Sequence, residues 1–121
     1  MENKIKLKKV LTCHSETGIS EVVKKLREHG ERRIFVVDDE EKLVGIITTV
    51  DIVYKACFDS DLKARDIMSK NVLSIDVDDE LTGALEIMDK LKTYVCPITK
   101  EGKVIGLISY HDVLAYVMST M

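Results

Sequence analysis

The chain has 121 residues, 45% of them hydrophobic, which suits one ordinary folded domain with a shared core. Its 18 basic and 21 acidic side chains are scattered and sum to a formal net charge of −3, so nucleic-acid binding is disfavoured. No apolar run is long enough to span a membrane and the first residues lack the apolar region of a signal peptide, so we expect a cytoplasmic protein with no membrane partner.

The first half of the chain predicts the order strand, helix, strand, strand, helix. A β-rich run at residues 10–13 precedes Thr17, which is expected to cap the first helix. That helix should end near Gly30, and its apolar stripe consists of Ile19, Val22, Val23 and Leu26. Two β-rich runs, residues 34–37 and 43–47, flank an acidic turn and predict a hairpin, after which a second helix begins near Thr49.

The second half repeats this order. It predicts a strand at residues 72–75, a helix capped at Asp79, a hairpin from residues 95–98 and 104–108, and a last apolar helix. The sequence Gly45-Ile46-Ile47-Thr48-Thr49-Val50-Asp51 returns 61 residues later as Gly106-Leu107-Ile108-Ser109-Tyr110-His111-Asp112. The first strand and helix repeat with an offset of 62, so we place the loss of one residue between the helix and the middle strand. The chain is therefore interpreted as a duplicated unit.

These two ordered copies of Gly, two aliphatic residues, Ser or Thr, two variable residues and Asp resemble the CBS domain pair, also called a Bateman module. The sequence Asp66-Ile67-Met68 before the second copy also matches this family. The resemblance covers essentially the whole chain, with residues 1–58 as the first repeat and 59–121 as the second. It implies an α/β fold in which two βαββα repeats pack about a pseudo-twofold axis.

The resemblance also implies a function. Such modules are non-enzymatic and regulatory, and bind AMP, ADP, ATP or S-adenosylmethionine in clefts between the repeats, signalling here to an unidentified target protein in trans. Carried over to this chain, Thr48 and Asp51 would serve one cleft, and Ser109 and Asp112 the other. In each cleft the Asp would hold ribose hydroxyls and the Ser or Thr would contact phosphate.

A further family feature is an Arg two residues before a Pro in the middle strand. Arg33 matches that Arg, while Phe35 replaces the Pro. In the second copy we assign Tyr94 and Cys96 to these positions, with Pro97 one residue late. We therefore expect unequal clefts, with a phosphate favouring the one that contains Arg33.

Elementary physical chemistry agrees with a ligand site. The helix that begins at Thr48 or Thr49 should present unpaired backbone N–H groups, which favour an anion. Asp51 can accept hydrogen bonds from vicinal hydroxyls, and Arg33 would offset its repulsion of a phosphate. Two simpler interpretations remain open: both motifs also fit capping boxes, and Arg33 can be a solvated charge at a strand edge.

Other chemistry finds little support. No Ser stands with a His and an acid in a nucleophile elbow and no glycine-rich phosphate loop occurs, so no catalytic activity is expected. His14, His29 and His111 share no ligand spacing, so we expect neither a metal nor a required cofactor, although His111 could add charge to the second cleft near or below about pH 6.5. Three widely spaced cysteines predict free thiols.

The apolar terminal helices predict a homodimer, especially the last one with Val113, Leu114, Val117 and Met118. This leaves a competing hypothesis of another class, a structural dimerisation or interaction module that binds no nucleotide.

Overall fold

The computed structural model describes residues 5–57 and 59–121. The predicted mixed α/β fold is confirmed: the described residues form two sheets of three strands with helices, and a short helix that the sequence did not predict follows the first repeat along the chain. The elements are β1 (Thr12–His14), α1 (Ile19–His29), β2 (Arg33–Val37), β3 (Leu43–Thr48), α2 (Thr49–Lys55), α3 (Ala64–Ile67), β4 (Ile75–Asp76), α4 (Leu81–Leu91), β5 (Val95–Lys100), β6 (Lys103–Ser109) and α5 (Tyr110–Thr120).

The chain divides into two compact units, one formed by Leu11–Val72 and the other by the residues up to Val10 together with Leu73–Met121. The first segment of the chain thus belongs to the same unit as the second half. The predicted boundary between residues 58 and 59 lies at Phe58, outside the described residues, and stays a prediction.

The unit Leu11–Val72 is built on the sheet β1-β2-β3, in which β1 is parallel and β3 antiparallel to β2. The predicted stripe of α1 packs on one face of this sheet, because its apolar residues recur at helical spacing. Gly30, with φ +62°, ends the helix in the left-handed conformation that glycine adopts at little cost. The buried core contains Ile19, Val22, Leu26, Ile34, Val36 and Ile47.

The other unit repeats the arrangement with the sheet β4-β5-β6. Here α4 ends at Lys92, which adopts the left-handed conformation with φ +54° where the first copy has a glycine. The core of this unit includes Ala84, Met88, Cys96, Ile98 and Ile108.

A short chain segment adds to the third strand of each sheet. Ser69 pairs with Ile46 of β3, and Lys8 pairs with Leu107 of β6, both antiparallel. These segments explain the glycine that opens each repeated motif. A Cβ atom on Gly45 would lie 2.6 Å from Met68 Sδ, and one on Gly106 would lie 2.5 Å from Leu7 Cβ.

The predicted starts of the first strands and helices are displaced. The strands expected at residues 10–13 and 72–75 are the later and shorter β1 and β4. Thr17 and Asp79 are not the N-caps, which are Gly18 and Glu80. Each predicted cap instead closes the turn after its strand: Thr17 Oγ1 accepts from the His14 N–H at 3.0 Å, and Asp79 Oδ2 accepts from the Asp76 N–H at 3.0 Å.

The predicted position of the lost residue is also wrong. Arg33 pairs with Thr48, whereas Val95 pairs with Ser109, so the middle strands repeat with an offset of 62. The missing residue lies in the hairpin. Residues 38–42 separate the paired residues Val37 and Leu43 in the first copy, whereas residues 100–103 separate the corresponding pair, Thr99 and Val104, in the second. As a result Pro97 occupies the position of Phe35 and does not come late.

Candidate functional site

The first copy of the motif forms a complete capping box. Asp51 Oδ2 accepts from the Thr48 N–H at 2.9 Å and from the Thr48 hydroxyl at 3.1 Å, and the Asp51 N–H donates to Thr48 Oγ1 at 3.2 Å. The other carboxylate oxygen, Oδ1, lies 3.4 Å from Lys55 Nζ. The capping interpretation is therefore confirmed. Oδ2 is engaged in the capping box, so a ligand hydroxyl could bind Asp51 only at Oδ1, where it would displace Lys55 or bind beside it.

The backbone at the start of α2 is less available than expected. The Thr49 N–H donates to the Arg32 carbonyl at 3.0 Å, and the Asp51 N–H is held by Thr48. The expectation of unpaired N–H groups is thus wrong for both residues, because Arg32, the residue before β2, pairs with the helix start and the capping box closes it. These two N–H groups are therefore not available to an anion.

Arg33 lies beside Thr48, its pairing partner across β2 and β3. Directly paired residues point to the same face of a sheet, and the neighbouring pair, Ile34 and Ile47, faces the buried core. Arg33 and Thr48 therefore share the opposite face. The structure brings Arg33, Thr48 and Asp51 together at one edge of a single sheet.

The second copy has the same box with slightly different distances. Asp112 Oδ2 accepts from the Ser109 N–H at 2.9 Å and from its hydroxyl at 2.8 Å, and the Asp112 N–H donates to Ser109 Oγ at 3.2 Å. Lys8 Nζ lies 3.8 Å from Asp112 Oδ1, and the Asp112 side chain is 15% exposed. The Tyr110 N–H donates to the Tyr94 carbonyl at 3.4 Å, matching the Thr49 bond.

The surroundings of the second box differ from the sequence-based assignment. Val95, not Tyr94, occupies the position of Arg33, so that position carries no charge and no hydroxyl. Tyr94 corresponds to Arg32; the residue is 78% exposed, and its ring meets Tyr110 edge-on with centroids 6.5 Å apart. His111 is exposed in the first turn of α5. Ligand contacts by Tyr94 and His111 stay predictions.

Two lysines that face the carboxylates were not predicted from the sequence. Lys55 stands four residues after Asp51 on the same helix, a spacing that brings opposite charges together and could have been recognised. It also donates to the Ile67 carbonyl at 3.3 Å. Lys8 reaches Asp112 from the opposite end of the chain, and no local pattern signals such a contact.

Each site thus offers a carboxylate oxygen and a cation within one small region, while the hydroxyl is engaged in the capping box. A carboxylate oxygen accepts hydrogen bonds from sugar hydroxyls, and a cation attracts phosphate. Within residues 5–57 and 59–121, no group of three or more His, Cys, Asp or Glu side chains could hold a metal ion. Among the same residues, no helix combines the length and apolarity needed to cross a membrane.

Comparison with known proteins gives consistent matches. The sequence of this chain is 33% identical over 105 residues to the uncharacterized protein MK0525 of Methanopyrus kandleri, and 34% identical over 113 residues to the inosine-5'-monophosphate dehydrogenase of Methanocaldococcus jannaschii. These matches cover 83% and 93% of this chain, but only 53% and 22% of the relatives' own lengths.

Among solved structures, the CBS domain pair of protein MJ0100 in complex with 5'-methylthioadenosine and S-adenosyl-L-methionine superposes with a TM-score of 0.74 at 27% identity. The superposition covers 99% of this chain and 96% of that one. The family model described as CBS domain matches residues 4–56 and again residues 64–119. The chain therefore belongs to the CBS domain family, with one repeat in each half.

Proposed function

We propose that this chain is a non-enzymatic regulatory module that binds an adenosine-containing ligand and signals its occupancy to a target protein in trans. The observation that carries the proposal is the proximity of three residues at the end of the sheet where β2 begins and β3 ends. Arg33 pairs with Thr48, and Thr48 donates to Asp51. A carboxylate accepts hydrogen bonds from ribose hydroxyls, and a guanidinium binds a phosphate.

In this proposal the ribose hydroxyls donate to Asp51 Oδ1, the oxygen that the capping box leaves over. These hydroxyls either displace the Lys55 ammonium from Oδ1 or bind beside it. The ammonium also donates to the Ile67 carbonyl, which keeps it near the site. The capping box fixes the carboxylate before a ligand arrives, so little side-chain entropy is lost on binding. Capping and ligand binding therefore coexist in one residue.

The nature of the ligand follows from charge. The related CBS domain pair with bound 5'-methylthioadenosine and S-adenosyl-L-methionine supports recognition of the adenosine moiety. Arg33 adds a permanent cation with a planar fork of donors, which suits a phosphate and repels a sulfonium. The first site should therefore prefer AMP, ADP or ATP to S-adenosylmethionine.

We propose the partner by its class alone, as a target protein reached in trans. The relatives above are longer than this chain, and the dehydrogenase activity of one belongs to a protein of which the match spans 22%. We place the module in the cytoplasm, where adenine nucleotides are abundant.

A thermal-shift panel tests the ligand proposal directly. AMP, ADP, ATP, S-adenosylmethionine and NAD are each added to the purified chain and the midpoint of unfolding is measured. A ligand at 100 times its dissociation constant adds about 2.7 kcal/mol to the free energy of unfolding, which is several degrees for a domain of this size. No shift with any of these compounds would refute the proposal.

A second candidate function, a dimerisation module without nucleotide, is favoured by the terminal helices. Val50, Val53 and Tyr54 follow one another at helical spacing on α2, and all three are exposed. On α5 the exposed apolar residues are Tyr110, Leu114, Val117 and Met118. Exposed apolar stripes of this kind typically form interfaces, so we propose a homodimer. Dimer formation without any thermal shift would favour this second function over the first.

A further inference from the structure

We propose that Lys8 supplies the phosphate-binding cation of the Ser109–Asp112 site, in place of the arginine that its middle strand lacks. The inference rests on the proposed function and adds to it a residue from the first segment of the chain. It follows from the position of Lys8, from an exchange of charges between the two copies, and from a cavity that borders Asp112.

The backbone of Lys8 is firmly placed. Its N–H donates to the Leu107 carbonyl at 3.0 Å, and the Leu107 N–H donates to its carbonyl at 3.0 Å. Leu7 beside it packs against Gly106, where even a methyl group would clash. The Lys8 side chain therefore extends from a fixed backbone position opposite Leu107, which lies two residues before Ser109 in β6.

The side chain itself is only loosely held. Lys8 Nζ lies 3.8 Å from Asp112 Oδ1, and the side chain is 54% exposed. An exposed ion pair of this length contributes little to stability, so the ammonium can turn toward a second anion at small cost. Because it already neutralises Asp112, it also reduces the repulsion that a phosphate would meet there.

The two copies provide their cations from different places. In the first copy Arg33 and Lys55 lie at the middle strand and on the helix, and the segment paired with β3 carries Ser69. In the second copy the corresponding strand and helix positions are Val95 and Tyr116, which are uncharged, and the paired segment carries Lys8. The second repeat thus has no cation at these two positions, and Lys8 of the segment paired with β6 provides one instead.

A cavity of about 210 Å³ adds a second basic group beside the same carboxylate. Its lining consists of Ile5, Lys6, Asp112, Ala115 and Tyr116. Pockets for whole ligands are typically larger, about 300–1,000 Å³, and Lys8 does not line this one, so what the cavity adds is a neighbouring cation, Lys6. Lys6 and Lys8 together would give this region a positive character that the repeat itself does not provide.

Isothermal titration with ATP and with adenosine tests the role of Lys8. The background is Arg33→Met, which removes the guanidinium of the first site, and Lys8→Met is compared with Lys9→Met, an exposed lysine of the same segment. We expect Lys8→Met to weaken ATP about tenfold, the value of one charge-assisted hydrogen bond, and to change adenosine by less than about twofold. Lys9→Met should change neither.

The outcomes separate the two proposals. If the wild-type chain binds neither ATP nor adenosine, the proposed function fails and the role of Lys8 with it. If the wild type binds both but Lys8→Met behaves as Lys9→Met does, the role of Lys8 alone is refuted. An equal loss for adenosine and ATP would also refute it, because a phosphate contact cannot weaken a ligand without phosphate. Thermal unfolding of each variant confirms that it is folded.

Discussion

Arg33 and Val95 occupy the same register position in the two sheets, Arg33 opposite Thr48 and Val95 opposite Ser109. The duplicated motif thus keeps its hydroxyl and its carboxylate in both copies, but only one copy has a guanidinium beside them. Sites that share a motif need not share an affinity. The difference should appear wherever phosphate is the main source of binding energy.

Arg33→Met should weaken AMP at the first site about tenfold or more, and leave adenosine nearly unchanged. The lost interaction is a charge-assisted hydrogen bond to phosphate, worth roughly 1.5–3 kcal/mol. Calorimetric titration measures both ligands. Arg32→Met is the matched control, since the structure uses Arg32 through its backbone carbonyl, which accepts from the Thr49 N–H. Equal losses in the Arg32 and Arg33 variants would show that only general charge matters.

Asp51→Ala should have two separable effects. Loss of the cap should lower the free energy of unfolding by about 1 kcal/mol, because the Thr48 N–H and hydroxyl lose their acceptor. Loss of the ribose contact should weaken adenosine and AMP alike, by roughly 1.5–3 kcal/mol. Denaturant unfolding and titration measure the two effects. Unchanged affinity would remove Asp51 from the site.

Asp112→Ala is the matched variant in the second copy. It should cost similar stability, since the box at Ser109 makes the same hydrogen bonds. Its effect on the tightest AMP binding should be smaller than that of Asp51→Ala. The reverse order would show that the tighter site is the second one.

The local elements were predictable because their signals are local. The stripe of α1, Gly30 at its end and the capping box at Thr48 are read from neighbouring residues. The four-residue helix α3 was not predicted, because it is too short for a periodic pattern. The predicted caps Thr17 and Asp79 were wrong because a hydroxyl or carboxylate can equally close the preceding turn.

The errors at the site have a different cause. Sequence offsets could not decide whether one residue was missing before or after the middle strand, and strand register was needed to place Val95 opposite Ser109. The contact of Lys8 with Asp112 is long-range and depends on the pairing of Lys8 with Leu107. Hydrophobic periodicity carries no information about such pairings.

Gly45→Ala should destabilise the chain by about 1–3 kcal/mol, the usual cost of overpacking. The added methyl group would lie 2.6 Å from Met68 Sδ and 3.0 Å from the Ser69 carbonyl oxygen, and the backbone atom cannot easily move. Gly83→Ala in α4 is the control. There the new Cβ would lie 3.6 Å from Ile75 Cγ2, an ordinary contact, so higher helix propensity should stabilise by up to about 1 kcal/mol. Chemical denaturation that ranks the two variants equally would contradict this explanation of the motif glycine.

The three cysteines should differ in reactivity. Cys57 is exposed, while burial raises the pKa of Cys13 and of Cys96 to about 11. Since the thiolate is the reactive form, a thiol reagent at pH 8 should modify Cys57 quickly and the other two only in denaturant. Mass spectrometry of the modified peptides identifies the site. Rapid native labelling of Cys96 would show that its burial is not maintained.

The same pKa shifts predict a loss of stability at alkaline pH. An unfolded thiol loses its proton near about pH 8.5, whereas the pKa values of folded Cys13 and Cys96 are raised to about 11. Between these values the folded state binds more protons, so the free energy of unfolding falls as pH rises. Cys13→Ala and Cys96→Ala should each flatten this decline, although the cavity lowers stability at pH 7. A decline that neither substitution flattens would have another origin.

Tyr54→Glu and Leu114→Glu should each convert the proposed homodimer into a monomer. Both side chains are exposed in apolar stripes, on α2 and α5, and a buried carboxylate without a partner is costly at an interface. Leu73→Glu serves as the control, because Leu73 is an exposed apolar residue outside every helix. Light scattering at micromolar concentration should give about twice 13.7 kDa for the wild type and the control, and 13.7 kDa for the two helix variants. A wild-type mass of 13.7 kDa would refute the homodimer, and a dimer that survives both substitutions would place its interface elsewhere.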